Sequence, residues 1–149
     1  MADTFYVQYS ASATPIEEME GADTTNKSRI VHSNIDKSIG GGKEITAGAG
    51  ATDVGYKEYS TTVTDAHLDT ISALSLTGID FIMVKIKEAV DSDGDCDCII
   101  TMGSQVVSKL LKVGDVMMIR PLAIAGTVFK LKSTAGLLCK VEILWSKEA

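Results

Sequence analysis

The chain has 149 residues, of which 45% are hydrophobic, 23% are charged and only 5% are aromatic. This length and composition are typical of a single globular domain, which buries enough apolar surface to fold without disulfides or a structural metal. The 20 acidic residues outnumber the 14 basic ones, and the net charge of −6 argues against binding nucleic acid or an anionic membrane through bulk electrostatics. We therefore expect no nucleic acid and no membrane among its partners.

The N-terminal residues carry no targeting signal. They read Met-Ala-Asp-Thr-Phe-Tyr-Val-Gln-Tyr, without the basic region or the apolar run of a secretory signal peptide. The longest mostly apolar stretch, residues 79–90, contains four charged side chains and is shorter than the ~20 residues that span a bilayer. We expect a chain that is made in a cytoplasm and has no transmembrane segment.

The N-terminal third differs in composition from the rest of the chain. Residues 10–55 are rich in Ala, Thr, Ser, Gly, Asn and Asp. Such a segment buries too little apolar surface to offset the entropy that it loses on ordering. Short strands are predicted at residues 4–9 and 28–35, and one helical turn is predicted at residues 15–21. We expect residues 1–55 to form an extended arm that becomes ordered against neighbouring molecules.

From Tyr56 onward, apolar and polar residues alternate with the period of half-buried β-strands. In residues 82–87, for example, Ile82, Val84 and Ile86 share one face of the predicted strand. The same alternation predicts further strands at residues 59–64, 70–76, 97–102, 105–110, 115–120, 127–132 and 137–145. The inward faces predict a core of Ile82, Val84, Ile86, Ile119, Phe129, Leu131, Val141 and Ile143.

About eight short strands, spaced by roughly 8 to 12 residues and separated by glycine-containing turns, predict an antiparallel β-sandwich of the jelly-roll type. The lack of long helical periodicity between the strands argues against a parallel, doubly wound sheet. In residues 64–73 a short helix, capped by Thr64 or Asp65, is an alternative to a strand. We expect an all-β chain with its arm at residues 1–55 and its sandwich domain at residues 56–149.

The segment Asp91-Ser92-Asp93-Gly94-Asp95-Cys96-Asp97 places four carboxylates within seven residues. Calcium takes oxygen ligands from alternating positions of this kind, so Asp91, Asp93 and Asp95 are candidate cation ligands. The segment departs from an EF-hand loop, because its glycine stands at the fourth position rather than the sixth and Met102 replaces the final glutamate. Asp-Gly between two strand patterns is also a strong hairpin signal. We expect a solvated hairpin turn and no metal.

The three cysteines are predicted to be reduced and to have no catalytic role. Their number is odd, and Cys96 and Cys98 stand on one face of a predicted strand without the Cys-x-x-Cys spacing common in zinc sites. Cys139 alternates with Val141 and Ile143, which predicts a small buried side chain.

The run Gly40-Gly41-Gly42-Lys43 is similar to part of a phosphate-binding loop. Lys37 stands where such a loop needs its first glycine, and Glu44 replaces the serine or threonine that would hold magnesium. We interpret the run as a flexible linker without a cofactor.

No pattern identifies a catalytic group. His67 lies near two aspartates, but no Gly-x-Ser-x-Gly nucleophile motif occurs in the chain, and His32 is the only other histidine. Trp145 and Phe129 stand in strand patterns and are predicted to belong to the core, which leaves few aromatic rings to bind a carbohydrate. We therefore expect a protein that is not an enzyme, with neither catalytic nor cofactor-binding residues.

The C-terminal part of the chain resembles the small auxiliary capsid proteins of tailed bacteriophages, known as decoration or cement proteins. The resemblance is carried by the sequences KVGDVMMIRP at residues 112–121 and VFKLKSTAGLLCKVEILW at residues 128–145. A Gly-Asp turn enters an apolar strand, a loop of small residues follows, and a final strand closes the chain. About 40 residues carry this similarity, and the rest of the chain shares only its composition.

This resemblance implies a structural protein of the virion that is assembled in the host cytoplasm. Members of the family bind the outside of the major capsid protein lattice, often as trimers, and hold neighbouring capsomers with extended arms. The expected partners are therefore the major capsid protein and further copies of this chain. A head-fibre, neck or tail component and a host-glycan-binding module remain alternatives, and a β-sandwich hydrolase is a third.

Overall fold

The computed structural model describes residues 5–13, 17–19, 28–30, 39–47, 54–64, 66–67, 79–120 and 129–147. Within these ranges the chain is all-β, as predicted, and contains no helix long and apolar enough to cross a membrane. The strands are β1 (Phe5–Ala13), β2 (Glu17–Met19), β3 (Ser28–Ile30), β4 (Ile39–Ala47), β5 (Val54–Ser60), β6 (Ala66–His67), β7 (Ile79–Ala89), β8 (Asp95–Met102), β9 (Gln105–Lys112), β10 (Val116–Ile119), β11 (Phe129–Ser133) and β12 (Cys139–Lys147).

The chain divides into two compact units, one formed by Met1–Val7 with Thr46–Ala149 and the other by Gln8–Ile45. The second unit contains an antiparallel pair in which Glu17 of β2 lies opposite Ile30 of β3. Strands β1 and β4 form another two-stranded sheet. The ordering of residues 1–55 against a neighbouring molecule stays a prediction.

Two sequence-based interpretations of this N-terminal region were wrong. Strand β2 replaces the helical turn predicted at residues 15–21, because an isolated turn is costly to nucleate and pairing with β3 satisfies its backbone groups. The run Gly40-Gly41-Gly42 lies within β4 rather than in a linker. At Gly42, an added Cβ would lie 2.4 Å from the carbonyl oxygen of Tyr9, so the close approach of the two strands requires a glycine.

Eight strands of the larger unit form two four-stranded sheets. The β7 sheet has the order β10-β7-β12-β5, and the β8 sheet has the order β6-β11-β8-β9. All of the strand pairings with a described register in these sheets are antiparallel. One apolar cluster takes side chains from both sheets, which makes the unit a β-sandwich. Of the predicted core residues, Ile119 is half-buried at the end of β10, and all the others are buried.

The strands pair in a nested order. Strand β5 pairs with β12, β6 with β11, β7 with β10 and β8 with β9, so the first strand of the sandwich lies beside the last. Further pairings, β12 with β7 and β11 with β8, join these pairs into the two sheets. The chain therefore runs as one long antiparallel hairpin that is folded across itself.

Glycines with positive φ occupy the predicted turns after β7, β8, β9 and β11. The turn around Gly94 is present, but the prediction of a hairpin there was wrong, because β7 and β8 belong to different sheets. The turn at Gly103 does close a hairpin, with Met102 opposite Gln105. A turn signal thus predicted where the chain reverses its direction. It did not predict whether the next strand joins the same sheet or the opposite one.

Two predictions between Tyr56 and Ile79 also changed. The strand predicted at residues 59–64 begins earlier, at Val54, and ends at Ser60, because the next residues leave the β7 sheet. The short helix predicted at residues 64–73 was wrong at its start, where Ala66–His67 forms β6 opposite Leu131 and Lys130. The strand predicted at residues 70–76 lies outside the described residues.

Gly55 is a position of the sandwich where an added methyl group would clash with the core. An added Cβ would lie 2.0 Å from Cζ2 of Trp145, whose side chain is buried against the core. Gly55→Ala is expected to lower the free energy of unfolding by roughly 1–3 kcal/mol, because Trp145 must leave its packed position. The matched control is Gly41→Ala, where an added Cβ would meet nothing within 4 Å. Urea unfolding measures both, and equal stabilities would contradict the packing of β5 against β12.

Candidate protein-binding surface

A row of apolar side chains crosses the outer face of the β7 sheet. Register places Met118 of β10 beside Met83 of β7, Met83 beside Leu144 of β12, and Leu144 beside Tyr56 of β5. Tyr56 is 54% exposed, and the other three are half-buried. We call these four residues the apolar row. It spans four adjacent strands, which gives it a width of about 14 Å.

Alternation along the strands explains why these side chains point outward. Val84 and Ile143, the sequence neighbours of Met83 and Leu144, are fully buried between the sheets. Because successive side chains of a strand point to opposite faces, the residues that fill the core also force their neighbours outward. Met83 and Leu144 of the apolar row therefore lie on the two central strands of the sheet, each of which pairs with a strand on both sides.

A charged network holds the exposed end of the apolar row in place. The hydroxyl group of Tyr56 lies 2.9 Å from Oε1 of Glu142 and 3.1 Å from Oε1 of Glu58. These hydrogen bonds, the one to Glu142 above all, raise the pKa of Tyr56 to about 12, so the phenol stays neutral. Lys87 pairs with Glu58 and lowers the pKa of that carboxyl group. Its ammonium group lies 4.0 Å from Glu142, so one cation compensates two neighbouring carboxylates.

The edge strands β9 and β10 expose further apolar side chains. Each lies at the end of its sheet, so one side of its backbone has no strand partner among the described residues. The exposed apolar residues are Val106, Val107 and Leu111 on β9, Val116 on β10, and Val113 in the turn between these strands. Open edges with apolar side chains are places where a strand of another molecule can be added.

Asp115 fixes the turn that joins these two edges. Its Oδ2 atom accepts the backbone N–H groups of Leu111 at 2.8 Å and Lys112 at 3.0 Å. Both hydrogen bonds lower the pKa of the Asp115 carboxyl group. The turn therefore fixes how the chain passes from β9 in one sheet to β10 in the other.

The three candidate cation ligands take part in turn and sheet structure instead of a shared site. Oδ1 of Asp91 accepts the backbone N–H of Asp93 at 2.8 Å, and Asp95 pairs with Lys112. Across the described residues, no three His, Cys, Asp or Glu side chains are arranged to hold a metal ion.

The sequence analysis did not single out one buried carboxylate, that of Asp97. Asp97 faces away from the core yet is nearly buried, and it accepts a hydrogen bond from Thr134 while the ammonium group of Lys109 lies 3.1 Å away. Burial alone would raise the pKa of Asp97, but the hydrogen bonds from Thr134 and Lys109 together lower it. Asp97 therefore links β8 to Lys109 of β9 on one side and to Thr134, the residue that follows β11, on the other.

The remaining candidate residues with a described position belong to the core or to β6. Phe129 and Trp145 are buried, as predicted, and the three cysteines are free and buried. His67 lies in β6 opposite Lys130, whereas His32 lies outside the described residues. The sequence analysis missed the apolar row because the row depends on how four strands are aligned with one another. The sequence pattern predicts each strand separately and contains no information about this register.

Comparison with known proteins yields no relative. No protein-family model, no curated protein and no solved structure matches the chain.

Replacing Asp115 with asparagine tests the turn between the edges. Because the folded-state pKa of Asp115 is lowered, its charge stabilises the fold above the unfolded-state pKa of ~4, and this contribution is lost as the pH falls through the folded-state pKa. Asp115→Asn is expected to lower the free energy of unfolding at pH 7 by about 1 kcal/mol. Urea unfolding from pH 7 to pH 3 should show the difference from wild type narrowing in acid. A difference that does not change with pH would contradict a role for the charge.

Proposed function

We propose that this chain is a non-enzymatic structural protein of a virus particle, a decoration protein that binds the major capsid protein lattice of a bacteriophage. The nested strand order carries the proposal. Pairing of the first strand with the last, and of each following strand with its counterpart, supports the predicted jelly roll. Jelly rolls recur in viral capsid proteins, and they also occur in lectins and cupins. Because the fold alone does not distinguish these classes of protein, the choice between them depends on the properties of the surface.

The apolar row supports a protein partner. Contiguous apolar patches on the surface of a soluble protein, especially patches rimmed by polar residues, often mark a site where another protein binds. Methionine and tyrosine are enriched at protein interfaces, because they combine large contact area with adaptable packing. We propose that this row faces the major capsid protein.

The open edges of β9 and β10 support self-association. Their exposed valine and leucine side chains provide apolar contact, and their outer backbone groups, which have no strand partner within the described part of the chain, can provide hydrogen bonds. We propose that copies of the chain meet along this side, and that the arm predicted at residues 1–55 reaches a neighbouring subunit. An oligomer on a repeating lattice gains affinity from several simultaneous contacts.

Locating the chain on particles tests the function directly. An antibody against the chain is applied to intact phage particles from the cells that produce it, and gold labels are imaged by electron microscopy. Dense, regular labelling over the shell is the expected result. Labels confined to one vertex or to the tail would replace the proposal with a neck, tail or head-fibre role. Unlabelled particles, combined with specific binding on a glycan array, would favour a carbohydrate-binding module.

Polar substitutions in the apolar row test the proposed contact. The double variant Met83→Gln/Leu144→Gln is expected to fold, because both side chains are only half-buried, and to bind undecorated particles at least tenfold more weakly, about 1.4 kcal/mol. The control Val90→Gln/Leu138→Gln makes the same kind of change at exposed residues outside the row. Sedimentation of particles with each protein measures binding. Equal binding of the row variant and the control would contradict the contact.

A further inference from the structure

The three cysteines meet in the core although they come from two sheets. Cys96 and Cys98 lie on β8, and Cys139 is the first residue of β12 in the opposite sheet. All three are free thiols with no more than 4% of their surface exposed, and all three belong to the same core cluster. The proposed function assigns no role to this group, and the inference below does not depend on that function.

A backbone strap brings Cys139 and Cys98 together. After β5 the chain leaves the β7 sheet, and the N–H of Thr61 donates to the carbonyl oxygen of Cys139 at 2.8 Å. The next residue, Thr62, accepts the N–H of Ser133 at 2.7 Å, and Ser133 is the register partner of Cys98. Two consecutive residues thus hydrogen-bond to both sheets and hold the two cysteines at the same end of the sandwich.

The two thiols are close enough to influence each other's ionisation. The hydroxyl group of Thr61 lies 3.5 Å from Sγ of Cys139. Strands β8 and β12 belong to different sheets, and some Cα atoms of the two strands approach to within 8 Å. A disulfide requires Cα atoms about 4.4–6.8 Å apart.

The surroundings of the three cysteines differ, and this difference makes Cys139 the expected nucleophile and Cys98 its partner. Hydrogen bonds from Cys98 and Thr61 stabilise the thiolate of Cys139 and lower its pKa, whereas the pKa of Cys98 is raised by its hydrogen bond to Cys139 and by burial. Burial is the main cause that raises the pKa of Cys96 to about 12. Cys139 is therefore the thiol that ionises most readily.

A surface pocket leads to Cys139. Its volume is about 200 Å³, and its lining includes Thr61, Val90, Leu138 and Cys139. Val90 is 74% exposed, whereas Cys139 is 2% exposed. The pocket is large enough for a small oxidant.

We propose that Cys139 and Cys98 are a redox-active pair that forms a disulfide between the two sheets when a peroxide enters this pocket. The Cys139 thiolate attacks the O–O bond of hydrogen peroxide, which gives a sulfenic acid and hydroxide. The sulfur of Cys98 then forms the S–S bond with Cys139 and displaces the sulfenic hydroxyl group. The Cys98 proton leaves with the released oxygen, so two thiols and one peroxide become one disulfide and two waters. A thiol reductant reverses the step.

The disulfide is expected to stabilise the sandwich. It closes a loop between residues 98 and 139 across the two sheets, which restricts the unfolded chain. We expect the melting temperature to rise by about 10 °C on oxidation and to return on reduction.

The test treats the full chain with hydrogen peroxide under native conditions and then alkylates the remaining thiols in denaturant. Mass spectrometry is expected to show one alkylated cysteine, Cys96, and a cross-linked peptide pair that contains Cys98 and Cys139. Cys96→Ala should keep the cross-link. Cys98→Ala should stop at a Cys139 sulfenic acid that dimedone traps, and Cys139→Ser should give neither product.

The wild-type peptide map decides the proposal even if one of these variants fails to fold. Three alkylated cysteines after peroxide treatment would overturn it, and so would a cross-link between Cys96 and Cys139. A cross-link that forms without any rise in melting temperature would contradict the stabilising role.

Discussion

Strand β12 is the element on which the rest of the sandwich depends, because it lies between β5 and β7 and contacts the opposite sheet with its inward side chains. Val141 and Ile143 are fully buried, and their burial fixes the register of both neighbouring strands. A shift of one residue would move these side chains into water and bring Glu142 into the core, which costs several kcal/mol. The alternation of β12 is thus the constraint that selects one arrangement.

The same alternation produces the surface. Once Val84 and Ile143 are committed to the core, Met83 and Leu144 must face outward, and register aligns them with Met118 and Tyr56. Core packing therefore produces the apolar row, and a binding partner can then contact this row. At the Cys139 end of β12, the strap of Thr61 and Thr62 joins the two sheets and holds Cys139 and Cys98 at the same end of the sandwich.

Sequence patterns predicted the structural features that depend on local periodicity, namely the strands and their buried faces. They missed the features that depend on pairing between segments that are distant in the chain. The strand at β7 and most of the core followed from alternation, since Ile82, Val84 and Ile86 repeat every second residue. The destination of the turn at Gly94 could not be predicted, because an Asp-Gly turn can close a hairpin or lead to another sheet. The apolar row and the proximity of Cys98 to Cys139 required the strand order, which no local pattern contains.

The most direct measurement is a cryo-electron microscopy map of the particle that carries this chain, at a resolution that separates strands. The proposed function predicts density for the major capsid protein against the outer face of the β7 sheet, with Met83 and Leu144 covered. It also predicts neighbouring copies along β9 and β10. A map in which the apolar row faces open solvent, or a particle shell without this chain, would contradict the proposed role.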